Sequence, residues 1–181
     1  MIETARLVMR RFQEKDLDPV ADSLADPRVA DWLAGPITRD QCADRILAWT
    51  AELDERGYGR LAVERKADGA VIGVVGLHAL DEAYDDTPLA GATEIGWHLA
   101  FAAWGQGFAT EAAKAVSKDG LGRVGLSEIV AFTASSNLRS RAVMERSGFS
   151  RRADRDFNHP RLSLEHALSR HVVYALSKGS N

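Results

Sequence analysis

Residues 94–113 read Glu94-Ile95-Gly96-Trp97-His98-Leu99-Ala100-Phe101-Ala102-Ala103-Trp104-Gly105-Gln106-Gly107-Phe108-Ala109-Thr110-Glu111-Ala112-Ala113, and this stretch decides how the chain is read. A run of strand character from Thr93 to Leu99 passes through small residues into a glycine-bearing loop. An amphipathic helix opens at about Thr110. Gly105 and Gly107, with Ala109 after them, let the backbone turn tightly and approach a ligand closely. The helix start adds free N–H groups and a partial positive charge. Together they form an anion cradle suited to a pyrophosphate, drawn from Trp104, Gly105, Gln106, Gly107, Phe108, Ala109 and Thr110. A dinucleotide fingerprint is excluded. It needs a third small residue where Thr110 stands, and it normally opens a chain-initial βαβ unit.

A second motif follows about thirty residues later: Asn137-Leu138-Arg139-Ser140-Arg141-Ala142-Val143-Met144-Glu145-Arg146-Ser147-Gly148-Phe149. Asn137 is placed to cap a helix, and Gly148 to end it in a left-handed conformation.

The two motifs, in this order and at this distance, resemble the GNAT acyl-CoA N-acyltransferases, especially the RimJ/RimL-like branch that acetylates N-termini of ribosomal proteins. The loop pattern of that family is Gln/Arg-x-x-Gly-x-Gly/Ala. Gly107 and Ala109 match its last two positions, while Trp104 replaces the Gln or Arg. The helix pattern is Asn-x-x-Ala/Ser-x-x-x-Tyr-x-x-x-Gly-Phe. Ser140 matches the small position, and Met144 replaces the tyrosine. Thr4-x-Arg6-Leu7-x-Met9-Arg10 is similar to the opening strand of the branch, and residues 156–162 and 170–174 to its closing segments.

The resemblance implies an α/β fold with a twisted mixed sheet and helices on both faces. Its fourth and fifth strands splay apart after a bulge. The backbone of Trp97 and Leu99 would then serve an acyl-pantetheine arm, with the Asn137 amide beside it. The implied co-substrate is acetyl-CoA. The implied reaction is direct attack by a primary amine in a ternary complex. That amine is a protein N-terminus by analogy with the branch, or a small molecule. Succinyl or longer acyl donors, and a non-catalytic acyl-CoA-binding module, are the alternatives.

Transfer from a thioester to an amine needs a base, a stabilised oxyanion and a supported leaving thiolate. Glu94 is the candidate base, near the carboxylate position of the family's fourth strand, and His98 is a second. Strand alternation sets Glu94, Gly96 and His98 on one face and Ile95, Trp97 and Leu99 on the other. Met144 carries no acidic proton. Ser140, one helical turn earlier on the same face, is the candidate support for the thiolate. His159 is the candidate acceptor-binding residue, in a polar loop expected over residues 158–170. His171 reads as structural. Glu111 and the Glu52, Asp54, Glu55 group read as solvated helix charges.

Composition bounds the rest. With 181 residues, 45% hydrophobic, the chain suits one domain over residues 1–181 with its own core. A net charge of −3 argues against broad nucleic-acid binding, which needs a basic surface. Cys42 is the single cysteine, so no intrachain disulfide or thiolate metal cluster forms, and it reads as buried filler. No histidine or carboxylate spacing suggests a metal. No signal peptide or membrane-length apolar run is evident, so a cytoplasmic location is expected. A homodimer is left open.

Further elements are expected as helices from Asp16 to Ala25, from Asp26 to Trp32, and from Thr38 to about Glu52. The last is opened by the capping box Thr38-x-x-Gln41. Strands are expected over 58–66 and 70–80 around Asp68-Gly69, then 128–133, 149–156 and 171–176. A turn-rich loop is expected over 81–91.

Overall fold

The computed structural model describes residues 1–33 and 35–179, so Ala34, Ser180 and Asn181 of the expected domain lie outside the described residues. Among the described residues nine strands form one mixed sheet: β1 (Ile2–Glu3), β2 (Leu7–Arg10), β3 (Arg60–Arg65), β4 (Val71–Ala79), β5 (Thr93–Leu99), β6 (Glu128–Ala134), β7 (Ser150–Arg151), β8 (Phe157–Asn158) and β9 (Arg170–Ser177). Their order is β1-β2-β3-β4-β5-β6-β9-β7, with β8 also pairing β9. Because Ile2–Glu3 pairs as an extra strand, the pair expected fourth and fifth is observed as β5 and β6. These two run parallel and pair at one position, Glu94 with Val130; the other ladders are antiparallel.

The helices are α1 (Leu17–Ala25), α2 (Pro27–Ala30), α3 (Arg39–Arg56), α4 (Phe108–Asp119) and α5 (Leu138–Arg146). The Thr38–Gln41 capping box forms in both directions, with the Thr38 N–H donating to Gln41 Oε1 at 2.9 Å and the Gln41 N–H to Thr38 Oγ1 at 3.3 Å. α3 runs one turn beyond the expected end, to a left-handed Gly57. Asp26 caps α2 ahead of its Pro27, and Asn137 caps α5 through Oδ1, which accepts from the Ser140 N–H at 3.1 Å.

Helices cover both faces, as expected. On one face Phe108, Ala112, Ala113 and Val116 of α4 and Met144 of α5 pack against Leu7, Val63, Val75, Ile95, Ile129 and Val172 of the sheet. On the other, α1, α2 and α3 close over Val74 through Val20, Leu24, Val29 and Cys42. Cys42 is fully buried, as a filler should be. A third cluster on that side brings Tyr84 and Leu89 from the 81–91 loop against Val130, Phe157, Val173 and Ala175. The loop is therefore partly core. Its turn chemistry concealed two apolar anchors too widely spaced to show a period.

Three expectations are corrected. The register shift lies between β3 and β4, at Val63/Glu64, while β5 pairs with β4 in unbroken register. The strand expected over 149–156 is cut to Ser150–Arg151, because a tight helical turn at Ala153–Arg155 intervenes before Phe157–Asn158 rejoins β9. α4 starts at Phe108, two residues early, because left-handed Gly107 already closes the loop.

Candidate active site

In an antiparallel ladder, residues alternately bond their partner and point away from it. The Ala100 N–H donates to Ile72 O at 2.9 Å, and Ile72–Ala100 continues the β4–β5 register. Trp97 and Leu99 therefore aim their N–H and C=O groups away from β4. On that side β6 pairs with β5 only at Glu94. Unbroken β5 register with β4, and loss of pairing with β6, leave backbone polar groups facing a gap.

The gap leads to the loop. Gly105 and Gly107 adopt left-handed φ values of 74° and 80°, and no side chain caps the start of α4. A Cβ at Gly105 would meet nothing within 4 Å, and one at Gly107 only Arg6 Nη2 at 3.5 Å, so neither glycine is tightly packed against the rest of the protein. Free N–H groups at a helix start beside open backbone fit the diphosphate of coenzyme A. Phe108 turns its ring into the core, leaving its backbone to the loop. Arg6 holds the loop from behind, through Gln106 O at 3.0 Å and over the Phe108 ring at 4.5 Å. Gln106 folds back onto Ala102 O. Glu111 anchors Arg6, accepting from its N–H at 3.0 Å and its Nε at 2.7 Å, and from Thr4 Oγ1 at 2.6 Å. It is a tie between the N-terminal segment and α4, correcting its reading as a solvated charge.

Trp104 joins the two motifs. Its indole N–H donates to Leu99 O at 2.7 Å, and the Arg139 guanidinium lies 5.3 Å above its ring. One of the β5 carbonyls expected to face the pantetheine arm is thus held by the loop, while the Trp97 groups and the Leu99 N–H retain their outward direction. Asn137 and Ser140 are half-buried in the first turn of α5, the same end that Arg139 sets against Trp104. Met144, where the family pattern has tyrosine, is buried in the core at 1% exposure.

The opposite face of β5 carries Glu94, Gly96 and His98, as alternation requires. It forms a polar strip between the apolar cluster over Val74 and the one over Val130. Arg60 of β3 crosses this strip. Its side chain reaches over β4 to lie on Gly96, and Nη2 donates to Glu94 Oε1. Both partners are largely buried, at 9% and 12% side-chain exposure. Cross-strand from Glu94 stands His78, whose Nδ1 lies 2.8 Å from Glu52 Oε2, and the Ala79 N–H donates to Glu52 Oε1 at 2.9 Å. Burial by itself would raise the Glu52 pKa, but these hydrogen bonds and the charges of His78 and Arg60 hold it below the usual range. Glu52 is therefore part of the strip, correcting its reading as solvated. Asp54, on the same helix, pairs with Arg11 at the surface. His98 is pushed down to about 3, by burial first and then by Arg60 and Arg45, so it stays neutral.

His159 sits at the edge of the strip in a cluster with Tyr84, Phe132, Phe157 and His171. Its Nδ1 accepts from the Arg161 N–H at 3.3 Å, and its Nε2 lies 3.0 Å from the Tyr84 hydroxyl. The neutral ring is then protonated on Nε2, which donates to the tyrosine oxygen. Burial, His171 and Arg161 lower its pKa to about 4. His171 is buried with Nδ1 bonded to Ser169 O at 3.1 Å.

Sequence reasoning passed over Arg60, Arg45 and Tyr84, gave Arg139 no role within its motif, and read Glu52 as solvated. One signal was present for Arg60. Gly76 and Gly96 lie in register on adjacent strands, and two facing glycines clear a path that a long side chain from the next strand fills.

The model of the acetyltransferase (GNAT) domain matches residues 6–150. The chain is 26% identical over 153 residues to the uncharacterized N-acetyltransferase YoaA of Bacillus subtilis, covering 83% of each. Among solved structures it is similar to a GNAT-family acetyltransferase from Bacillus anthracis, with a TM-score of 0.78, 22% identity and 97% of each chain covered. It is likewise similar in fold to RimL, a ribosomal L7/L12 α-N-protein acetyltransferase in complex with coenzyme A, with a TM-score of 0.75, 17% identity and 98% and 97% covered. The open β5 edge, the glycine loop and the matched family model converge, and the chain belongs to the GNAT acetyltransferase family as an N-acetyltransferase.

Proposed function

We propose that this N-acetyltransferase uses acetyl-CoA directly, in a ternary complex, to acetylate a primary amine, with a protein N-terminus as the first acceptor class and small amines as the second. Acetyl-CoA supplies an activated acetyl thioester. The observation that carries the reading is the outward-facing backbone of Trp97 and Leu99 running into the Gly105–Thr110 loop. We assign the loop backbone and the α4 start to the diphosphate, the Trp97 backbone and Asn137 to the pantetheine arm, and the Leu99 N–H to the thioester carbonyl. On the other face of β5, Glu94 takes the proton from the acceptor amine. Its Oε1 is engaged by Arg60, while Oε2 accepts no hydrogen bond from the described residues and is free to face the amine. Ser140 supports the departing thiolate. His159 shapes the acceptor side through Tyr84. Holding amine and thioester together supplies much of the rate, and a general base adds roughly 10²–10⁴-fold.

The protein acts as one cytoplasmic domain in this reading, and among the described residues no helix is long and apolar enough to cross a membrane. The test is release of coenzyme A from acetyl-CoA with a panel of ribosomal-protein N-terminal peptides, polyamines, amino acids and aminoglycosides, repeated with succinyl-CoA. Preference for peptides supports the RimJ/RimL-like assignment, and preference for small amines replaces it. Tight coenzyme A binding with no acyl transfer to any amine overturns the catalytic reading.

A further inference from the structure

The polar strip on β5 has more cationic hydrogen-bonding capacity than the protein itself satisfies. Arg60 is 8% exposed, and its guanidinium meets Glu94 through Nη2 alone. Its Nε and Nη1 are buried with no acceptor in the protein. A buried guanidinium with two nitrogens lacking any acceptor is costly unless an anion or other acceptor joins it. Arg45 of α3 lies seven residues, two helical turns, before Glu52, and so on the same face of the helix that reaches His78 and Ala79 beside the strip; its charge acts on both Arg60 and His98. Its side chain is exposed to solvent, and it has no carboxylate partner among the described residues. Arg45 also lines a surface depression of about 350 Å³ with Leu33, Pro36, Ile37, Gln41 and Asp44, so it is reachable from outside.

Asp44, next to Arg45 on the depression, is exposed and forms no ion pair among the described residues, whereas the charges on the strip itself are paired. Glu94 meets Arg60, Asp81 meets Arg161, and Glu52 meets His78. His98 is neutral, and Tyr84 stays protonated because burial first, and then Glu94, raise its pKa. What remains open on the strip is one carboxylate oxygen, Glu94 Oε2, beside an unpaired arginine and an incompletely paired one. That is a bipolar arrangement. A carboxylate oxygen suits an ammonium or amine, and guanidinium groups suit a carboxylate.

Resting on the acetyltransferase reading above, we infer that the acceptor is a primary amine carrying a carboxylate a few bonds from its nitrogen, the amine lying at Glu94 Oε2 and the carboxylate at Arg45 and Arg60. Two sources share this chemistry: a free amino acid, and a peptide whose first residues include an acidic side chain. An amine without a carboxylate would leave the arginine side of the strip as it is, with no gain on binding.

The experiment measures kcat/KM of the full chain for matched pairs. Free α-amino acids are compared with their α-carboxamides, and tetrapeptides with Glu at the second position with the same peptides carrying Gln. The expected result is at least a tenfold preference for the carboxylate member, expressed in KM, in one of the two sets, and the set that shows it identifies the source. Arg45→Gln should shrink that preference to about threefold or less, and Arg45→Lys should keep part of it. Equal or better use of the carboxamide and the Gln peptide overturns the inference while leaving the acetyltransferase reading intact. If no amine is acetylated, the enzymatic reading fails. The carboxylate site is then judged by calorimetric binding of the same pairs to the coenzyme A-loaded protein. Binding of the carboxylate member alone, lost in Arg45→Gln, upholds it, and binding of neither member or of both equally overturns it.

Discussion

The guanidinium of Arg60 occupies the place where a side chain at position 96 would stand. A Cβ built on Gly96 would overlap Arg60 Nη1 and lie 2.8 Å from Cζ. The glycine is thus what allows an arginine from β3 to cross β4 and reach the carboxylate of Glu94 on β5. Gly96→Ala should expel the guanidinium, break the Glu94 pair and lower both activity and stability, the latter by about 1–3 kcal/mol. Urea unfolding and steady-state kinetics measure the two effects. An alanine variant with unaltered kinetics would mean that the Arg60–Glu94 contact has no part in the reaction.

Gly107 tests the loop. A Cβ there has room, since its nearest neighbour is Arg6 Nη2 at 3.5 Å, but φ of 80° disfavours any branched side chain. Gly107→Val should therefore distort the start of α4 and weaken coenzyme A binding more than tenfold, about 1.4 kcal/mol or more. Calorimetric titration of the folded variant checks this, and unchanged affinity would remove the loop from the site.

The two side chains assigned to the chemistry separate by kinetics. Glu94→Gln should cost roughly 10²–10⁴-fold in rate at neutral pH if Glu94 is the base, with partial recovery at higher pH as the amine loses its proton unaided. Ser140→Ala should lower kcat while hardly altering the coenzyme A dissociation constant. Near-normal rates in both folded variants would leave positioning, with deprotonation through solvent, as the source of catalysis.

Stability should depend on pH through His98 and His159, held at about 3 and about 4. In the unfolded chain both titrate near 6.5. Below about 6.5 the unfolded state takes up protons that the folded state refuses, so stability falls as pH drops toward 4 and is unaffected by these groups above 7. The slope is at most about 1.4 kcal/mol per pH unit for each histidine. Asp16 and Glu52, whose pKa values are lowered, stay ionised in the folded protein through most of this window and lose their contribution only at its acid end. The urea midpoint should be lower at pH 5 than at pH 7.5, and His159→Gln should flatten the difference. A midpoint that holds constant between those pH values would rule the histidines out.

Much of the frame was readable from short-range chemistry. The Thr38–Gln41 box, the Asp68-Gly69 hairpin and the Asn137 cap each depend on residues within a few positions of one another, and each forms where the residues imply. Strand alternation placed Glu94, Gly96 and His98 on one face, because β5 keeps its register against β4 throughout. The anchors of the 81–91 loop were not readable. Tyr84 and Leu89 are buried by contact with β6 and β9, and no local period records that.

The sequence by itself determined the loop and its helix and the strand before them. The left-handed glycines and the helix start follow from backbone freedom at Gly105 and Gly107, and the faces of β5 from side-chain alternation over seven residues. Only the tertiary structure decided what each ionisable group meets. Arg60 finds Glu94 across 34 positions, Glu111 finds Thr4 across 107, and Tyr84 finds His159 across 75. A charge in a sequence reads the same whether it ends in water or in a buried pair. Its partner is set by which strands become neighbours and which residues, such as Gly76 and Gly96, leave the space between them clear.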